Sequence, residues 1–323
     1  MPIIATCFIK LNNTSLTNSR QSAYNKKMTI INGNKIAQEI LAEQKRIINQ
    51  NKLKPKLAAV LIGDDEASRI YVNEKRKKSK KIGIDFKLFD LPTAVKQAKV
   101  IDLLKKLNDD KTVSGIIVQF PLPKTFDADA IVKTIDPKKD ADGFHPENIK
   151  KFLELDDLND LLDKNLLLPV TAAAIMEILN VIAKRNDNTR KQIQRIKNKK
   201  IAVIGKSSIF LIPLIHFFGQ QIAVINPNDP SLADKSSQAD ILITACGKPS
   251  FIKSNMIKPG AIVIDVGISR FDSPNRLVAG DVDFDAVAPK TSFITPVPGG
   301  VGPVTVAILL RNVVLSALLE KKS

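Results

Sequence analysis

Apolar residues recur at helical spacing over residues 36–48, with charged positions between them, and predict an amphipathic helix. Residues 57–62 form a short apolar run closed by Gly63, Asp64 and Asp65, the pattern of a strand entering a turn. Residues 67–82 then read as a basic helix, 86–91 as a strand ending at Pro92, and 95–107 as a second amphipathic helix. Residues 115–118 predict a buried strand, stopped by Gln119-Phe120-Pro121-Leu122-Pro123. After an acidic excursion (156–164) and a helix over 172–183, a basic link (184–200) leads into apolar strands at 200–204, 222–225, 241–245 and 261–266. This alternation of strand and helix is that of parallel sheets covered by helices, and no internal repeat interrupts it. The most unusual stretch is residues 298–305, Pro298-Gly299-Gly300-Val301-Gly302-Pro303-Val304-Thr305. Its glycines and prolines predict a rigid loop that brings backbone against something flat or charged, ahead of an apolar helix over 306–319.

Composition narrows the function classes. The chain has 323 residues, enough for two domains, and 44% are apolar, ample for a packed core. No run reaches the ~18 uninterrupted apolar residues of a membrane span. Two cysteines, Cys7 and Cys246, argue against a disulfide framework and for a reducing compartment, and two histidines against a histidine-rich zinc site. The net charge of +16 favours polyanions, but there is no zinc-finger spacing, and with only 5% aromatics no stacking platform for bases. A solvated lysine-rich surface is the reading adopted, with no specific nucleic acid and no membrane as partner. Residues 1–27 are basic and Ser/Thr/Asn-rich and are read as a disordered extension, organelle targeting being the alternative to a cytoplasmic location.

Several groups carry potential chemistry. Tyr71 and Lys75 stand at i and i+4, on one helical face. A desolvated lysine there has a lowered pKa and serves as acid or base; an isolated Tyr-x-x-x-Lys is more often a solvated helix face. Gln119 leaves the carboxyl end of a predicted parallel strand, where open α/β sheets bind ligands. Asp140 and Asp142 lie in a turn and offer carboxylates. Gly205-Lys206-Ser207-Ser208 follows a strand and precedes an apolar helix, the setting for a phosphate at a helix N-terminus, although Gly-x-Gly-x-x-Gly is absent.

Taken together, these motifs resemble the bifunctional methylenetetrahydrofolate dehydrogenase/methenyltetrahydrofolate cyclohydrolase family. The likeness runs from Met28 to about Ala317. It includes Ile30-Ile31-Asn32-Gly33, the Gly63 to Lys75 stretch, Val118 to Pro123, Lys139 to Pro146, Gly247-Lys248-Pro249, Gly280-Asp281-Val282 and residues 298–305. The resemblance implies an α/β fold of two domains. An N-terminal domain with a parallel sheet (28–165, completed by 298–323) joins a Rossmann-like NAD(P)-binding domain (166–297), the final helix packing back on the first. It implies Lys75 as general acid/base, Gln119 holding the Lys75 amine, Tyr71 stacking on folate and Asp142 bonding the pterin. Val118, Phe120, Pro298, Gly299, Gly300, Gly302 and Thr305 would line the same cleft. Gly205, Lys206, Ser207 and Ile268 would bind the cofactor, NADP or NAD. No metal is implied; a homodimer and a folate substrate, with its polyglutamate tail drawn by the basic surface, are.

The cofactor half departs from the family pattern. Leu211 stands where the family has glycine, and is expected to crowd the pyrophosphate or push its helix outward. After the strand at 222–225 the chain has Asn226-Pro227-Asn228-Asp229 in place of a segment carrying a cation and hydroxyls. Asp229 is therefore expected to accept ribose hydroxyls and favour NAD. Ala172 also replaces a usual proline after Thr171. These departures imply, as an alternative, a cyclohydrolase with weak or lost dehydrogenase activity; a non-catalytic basic scaffold protein is the more distant alternative.

Overall fold

The computed structural model describes residues 28–154, 165–186, 196, 198–205, 208–273 and 276–322. The expectations for 1–27, for the acidic excursion and for most of the basic link lie outside those residues.

The first layer is a three-stranded parallel sheet. Strands β2 (Lys56–Ile62), β3 (Asp85–Leu91) and β4 (Gly115–Val118) pair in the order β3-β2-β4. Helix α1 (Gly33–Gln50) precedes β2, α2 (Glu66–Ile82) joins β2 to β3, and α3 (Gln97–Asp109) joins β3 to β4. β2 is buried along nearly its whole length, as the central strand of a sheet covered on both faces must be. Residues beyond β4 extend this layer: Ile116 N donates to Lys139 O and Ala141 N to Ile116 O, so residues 139–141 run parallel beside β4. Helices α4 (Ala128–Thr134) and α5 (Pro146–Leu153) flank that segment.

The second layer is a six-stranded parallel sheet, reached through α6 (Val170–Asn186). It contains β5 (Ile201–Gly205), β6 (Ile222–Ile225), β7 (Ile241–Ala245), β8 (Ala261–Asp265) and β11 (Thr291–Ile294). The sixth strand is β1 (Thr29–Ile30), which pairs with β11 although residue 28 onward was expected with the first layer. The order is β1-β11-β8-β7-β5-β6, with β6 at an open edge. Helices α7 (Ser208–Phe218), α8 (Leu232–Ser236) and α9 (Phe284–Val287) decorate it. An antiparallel hairpin of β9 (Ser269–Ser273) and β10 (Arg276–Ala279) stands apart, unforeseen in the apolar pattern.

Helix α10 (Val301–Lys322) closes the chain and packs on α1, α6 and β4. It is long and apolar enough to cross a membrane by length and composition, but two thirds of its most apolar window is buried in protein, as in a core helix. Its start corrects the loop expected over 298–305: the helix begins at Val301, so Gly302, Pro303, Val304 and Thr305 form its first turns. Proline is tolerated there because N–H groups of a first turn have no intrahelical acceptor.

Candidate active site and cofactor crevice

Helix α2 carries the first functional pair. Its N-terminus is capped by Asp65, whose carboxylate accepts from Ser68 N at 2.7 Å, and it starts beside the carboxyl end of β2. The i, i+4 spacing sets Tyr71 and Lys75 on one face, both partly buried. Lys75 Nζ donates to Gln119 Oε1 at 2.9 Å. Gln119 Nε2 donates to Phe120 O at 2.6 Å, which orients the amide so that its oxygen faces the lysine. Gln119 N in turn donates to Val60 O, so the ladder of β2 fixes the residue that holds Lys75.

Asp142 reaches the same end of the sheet in a turn. Asp140 pairs with Ile116 of β4, and the chain turns at once, Gly143 N donating to Asp140 O, so that Asp142 sits in the turn where its charge acts on Lys75. Burial lowers the Lys75 pKa, and the field of Asp142 opposes that shift. Burial pushes Asp142 up to about 6, against the pull of Lys75 and with a smaller push from Asp140. Burial likewise raises the Tyr71 phenol. The cluster thus holds an amine and a carboxylic acid each shifted towards its neutral form, the requirement for proton transfer near neutrality.

The turn that carries Asp142 is built by Asp140, a buried carboxylate accepting from Gly143 N at 3.1 Å, His145 N at 2.7 Å and Asn148 Nδ2 at 3.0 Å. Gly143 has φ +69°, and a Cβ there would lie 2.1 Å from Leu168 O, so only glycine fits. Asn312 of α10 closes the arrangement: its Nδ2 donates to Ala141 O and Leu168 O, and its Oδ1 accepts from Leu168 N.

The remaining predicted residues are placed differently. The Val118 side chain packs in the core under β2 and α3, so a ligand can meet it only through its backbone. Phe120 is half-buried, edge-on to Phe144. Residues 298–300 press on the chain itself: Gly33 N donates to Gly299 O at 2.8 Å, and a Cβ on Gly33 would overlap Gly300 O at 1.8 Å. The close approach inferred for these glycines is therefore met by the start of α1. Pro298 remains exposed, Gly300 is buried, and Thr305 Oγ1 donates to Val301 O within the helix. Gly302 faces the second layer, with Ile268 Cδ1 3.7 Å from where its Cβ would be. Ile268 itself is 40% exposed, an apolar surface beyond the carboxyl end of β8.

The second crevice lies at the carboxyl ends of β5, β6 and β7. Gly205 ends β5, close against Ala245 of β7, whereas Lys206 and Ser207 lie outside the described residues. Leu211 does not intrude as expected. It is 8% exposed and belongs to the main core with Leu214 and Phe218, because i, i+3 and i+7 share one helical face while Ile212 and Ile215 face outward. Asp229 is not free for a ribose either: Oδ2 accepts from Lys235 Nζ at 2.6 Å and Oδ1 from Ser231 N at 2.8 Å.

Comparison with known proteins decides the relationship. Residues 31–142 match the tetrahydrofolate dehydrogenase/cyclohydrolase catalytic domain, and residues 169–321 match the NAD(P)-binding domain of the same enzymes. The chain belongs to the tetrahydrofolate dehydrogenase/cyclohydrolase family. It is 38% identical to the bifunctional protein FolD of Acetivibrio thermocellus over 91% of this chain and 98% of that one. The crystal structure of bifunctional FolD from Campylobacter jejuni superposes with a TM-score of 0.78 at 34% identity, covering 90% of this chain and 99% of its own. The Trypanosoma brucei methylenetetrahydrofolate dehydrogenase-cyclohydrolase, solved with NADP cofactor and an inhibitor, gives a TM-score of 0.80 at 30% identity, covering 92% and 99%.

In this dehydrogenase/cyclohydrolase chain the crevice fits a dinucleotide. The sheet order places β6 and β7 on either side of β5, a topological switch point, and Ile268 offers an apolar face. Sequence reasoning passed over the framework beneath it. Asp281 is fully buried and accepts from Cys246 N, Lys248 N and Thr244 Oγ1. Asp265 accepts from Gly267, Asp281 and Val282 N–H groups, and burial raises it to about 7. Burial pushes the Cys246 thiol up to about 12, making it a poor nucleophile. The signals available were the Gly280-Asp281-Val282 motif and the carboxylate of Asp265 inside the apolar run 261–266.

Proposed function

We propose that the protein oxidises 5,10-methylenetetrahydrofolate to 5,10-methenyltetrahydrofolate with NADP, NAD remaining usable, and hydrolyses the product to 10-formyltetrahydrofolate. The observation that carries the second step is the Lys75–Gln119 hydrogen bond beside a carboxylate shifted to about 6. The nicotinamide, when bound, supplies the acceptor for the hydride. Gly205 and Ile268, with Lys206 and Ser207, would hold the dinucleotide, and the protein's share of that step is alignment of two rings.

For hydrolysis, Tyr71 stacks on the folate and Asp142 hydrogen-bonds the pterin, which sets the methenyl carbon by Lys75. Water adds to that carbon, and its proton passes to the neutral Lys75 amine, held in place by Gln119. The carbon–N5 bond then breaks as the Lys75 ammonium returns the proton to N5 and the hydroxyl on the carbon loses its proton to solvent, leaving the formyl carbonyl on N10 and releasing one proton overall. Residues 298–302 bound the cleft from the α10 side. Replacing Lys75 by Met should cut methenyl hydrolysis by about a hundredfold or more, the usual share of general acid–base catalysis, and leave nicotinamide binding intact. Unchanged hydrolysis would remove Lys75 from this role.

The finer assignments follow from surface features. Open-edge strand β6, with Val224 44% exposed, lies beside Ile212 and Ile215 of α7 at 47% and 41% exposed. An apolar open edge of this kind suits isologous pairing with a second copy, and we assign a homodimer to it. The +16 net charge suits a polyglutamate tail on the folate, and the two cysteines suit a reducing, cytoplasmic location. The Michaelis constant should fall with tail length at low salt and lose that dependence at about 0.5 M salt, where screening is short-ranged.

A further inference from the structure

The crevice poses a question of charge. The segment after β6 has neither the cation nor the free hydroxyls that would meet a phosphate on the adenosine ribose. Its one carboxylate, Asp229, is neutralised by Lys235. A cation nevertheless stands over this corner, delivered by the loop after β7. The backbone of Lys248 is anchored by donation of its N–H to buried Asp281 at 2.9 Å. Its side chain crosses the carboxyl edge, and Nζ donates to Asn228 Oδ1 at 2.9 Å. The same ammonium lies 4.7 Å from the centroid of the Phe251 ring, which favours a cation there. Since β6 and β7 flank β5, this bridge spans the switch point where the adenosine half of a dinucleotide lies.

The partner of Lys248 is informative. Asn228 is an uncharged amide, itself held in a turn by donation of its N–H to Asn226 Oδ1 at 3.0 Å. An amide carbonyl orients an ammonium without cancelling its charge. Among the described residues, that bond uses one of three N–H donors and leaves two for an anion. Lys235, the neighbouring cation, is consumed by Asp229.

We infer that Lys248, oriented by Asn228, is the cation that recognises the 2′-phosphate of NADP and sets the preference for NADP over NAD. The inference rests on the cofactor reading above. The position differs from the expected one: the cation comes from the loop after β7 instead of the segment after β6, and reaches the same corner from the opposite side.

The test is equilibrium binding of NADP+, NAD+ and 2′,5′-ADP to the purified protein, by calorimetry, for wild type, Lys248→Met, Lys248→Arg and Asn228→Asp. Lys248→Met should weaken NADP+ and 2′,5′-ADP by about tenfold, the scale of one charge-assisted hydrogen bond, and leave NAD+ within about twofold. Lys248→Arg should keep most of the discrimination. Asn228→Asp should weaken NADP+ selectively, because it places a carboxylate on the ammonium. Equal weakening of both dinucleotides, or no change in either, would overturn the assignment of Lys248 while leaving the dehydrogenase reading standing. Wild-type protein that binds neither dinucleotide would overturn both.

Discussion

Lys75 and Asp142 set each other's protonation. Burial drives the lysine down and the carboxyl up, and each partner's charge resists the other's shift. The consequence for pH dependence has a definite sign. Asp142, at about 6 against an ordinary 3.8, is ionised above pH 6, where its negative field holds the Lys75 pKa higher than burial alone would leave it. Asp142→Asn deletes that field, so Lys75 loses its proton at lower pH. The rising limb of methenyl hydrolysis against pH, which reports the neutral amine, should move to lower pH in this variant whatever the loss in amplitude. A limb that stays in place, or moves to higher pH, would mean that the pair is not coupled as described. Tyr71 and Lys75 were legible in the sequence because i, i+4 geometry is local. The coupling of Lys75 to Asp142 was not, because it depends on a turn after β4 meeting a helix far away in the chain.

At the scale of elements, the site is held by turns and caps more than by its own side chains. The turn from Asp140 to Gly143 is tied to β4 by ladder bonds, to α5 through Asn148, and to α10 through Asn312. Gly143→Ala should therefore do more than perturb a loop. It combines positive φ with overlap on the Leu168 carbonyl, and a loss of about 3 kcal/mol or more in the urea midpoint analysis is expected. A loss below about 1 kcal/mol would show that the 166–170 segment can move away. Helix periods and strand runs were readable for α1, α2, α3 and β2 through β8, because one-sided burial imposes the 3.6-residue repeat on a helix and two-sided burial makes most of these strands short continuous apolar runs. Several elements escaped, among them β1 and the short helices α4, α5, α8 and α9, too brief to show a period. The start of α10 was read as loop because Gly302 and Pro303 are poor helix formers, yet a first turn asks little of them. The β9–β10 hairpin had no apolar alternation to reveal it.

At the scale of the molecule, two parallel sheets present their carboxyl ends to ligands, one with the Lys75 cluster and one with the dinucleotide crevice, while α10 ties the chain's end to its beginning. Its open edge carries the assembly prediction. Ile215→Glu or Val224→Lys should shift the protein from dimer to monomer in sedimentation at micromolar concentration, without lowering its helix content. A variant that remains dimeric would move the interface elsewhere. The sequence by itself determined the α/β class, most element positions and the chemistry-bearing residues, since these follow from local periodicity, turn residues and unbroken motifs. Only the tertiary structure decided what each special residue faces. Glycines 299 and 300 make their close approach to the start of α1, whatever they also line. Leu211, read as an obstruction, is absorbed into the core, and Asp229 is taken by Lys235. The physical reason is the same in all three cases: a pattern along the chain specifies which face a side chain occupies, but the neighbour across that face comes from another part of the chain.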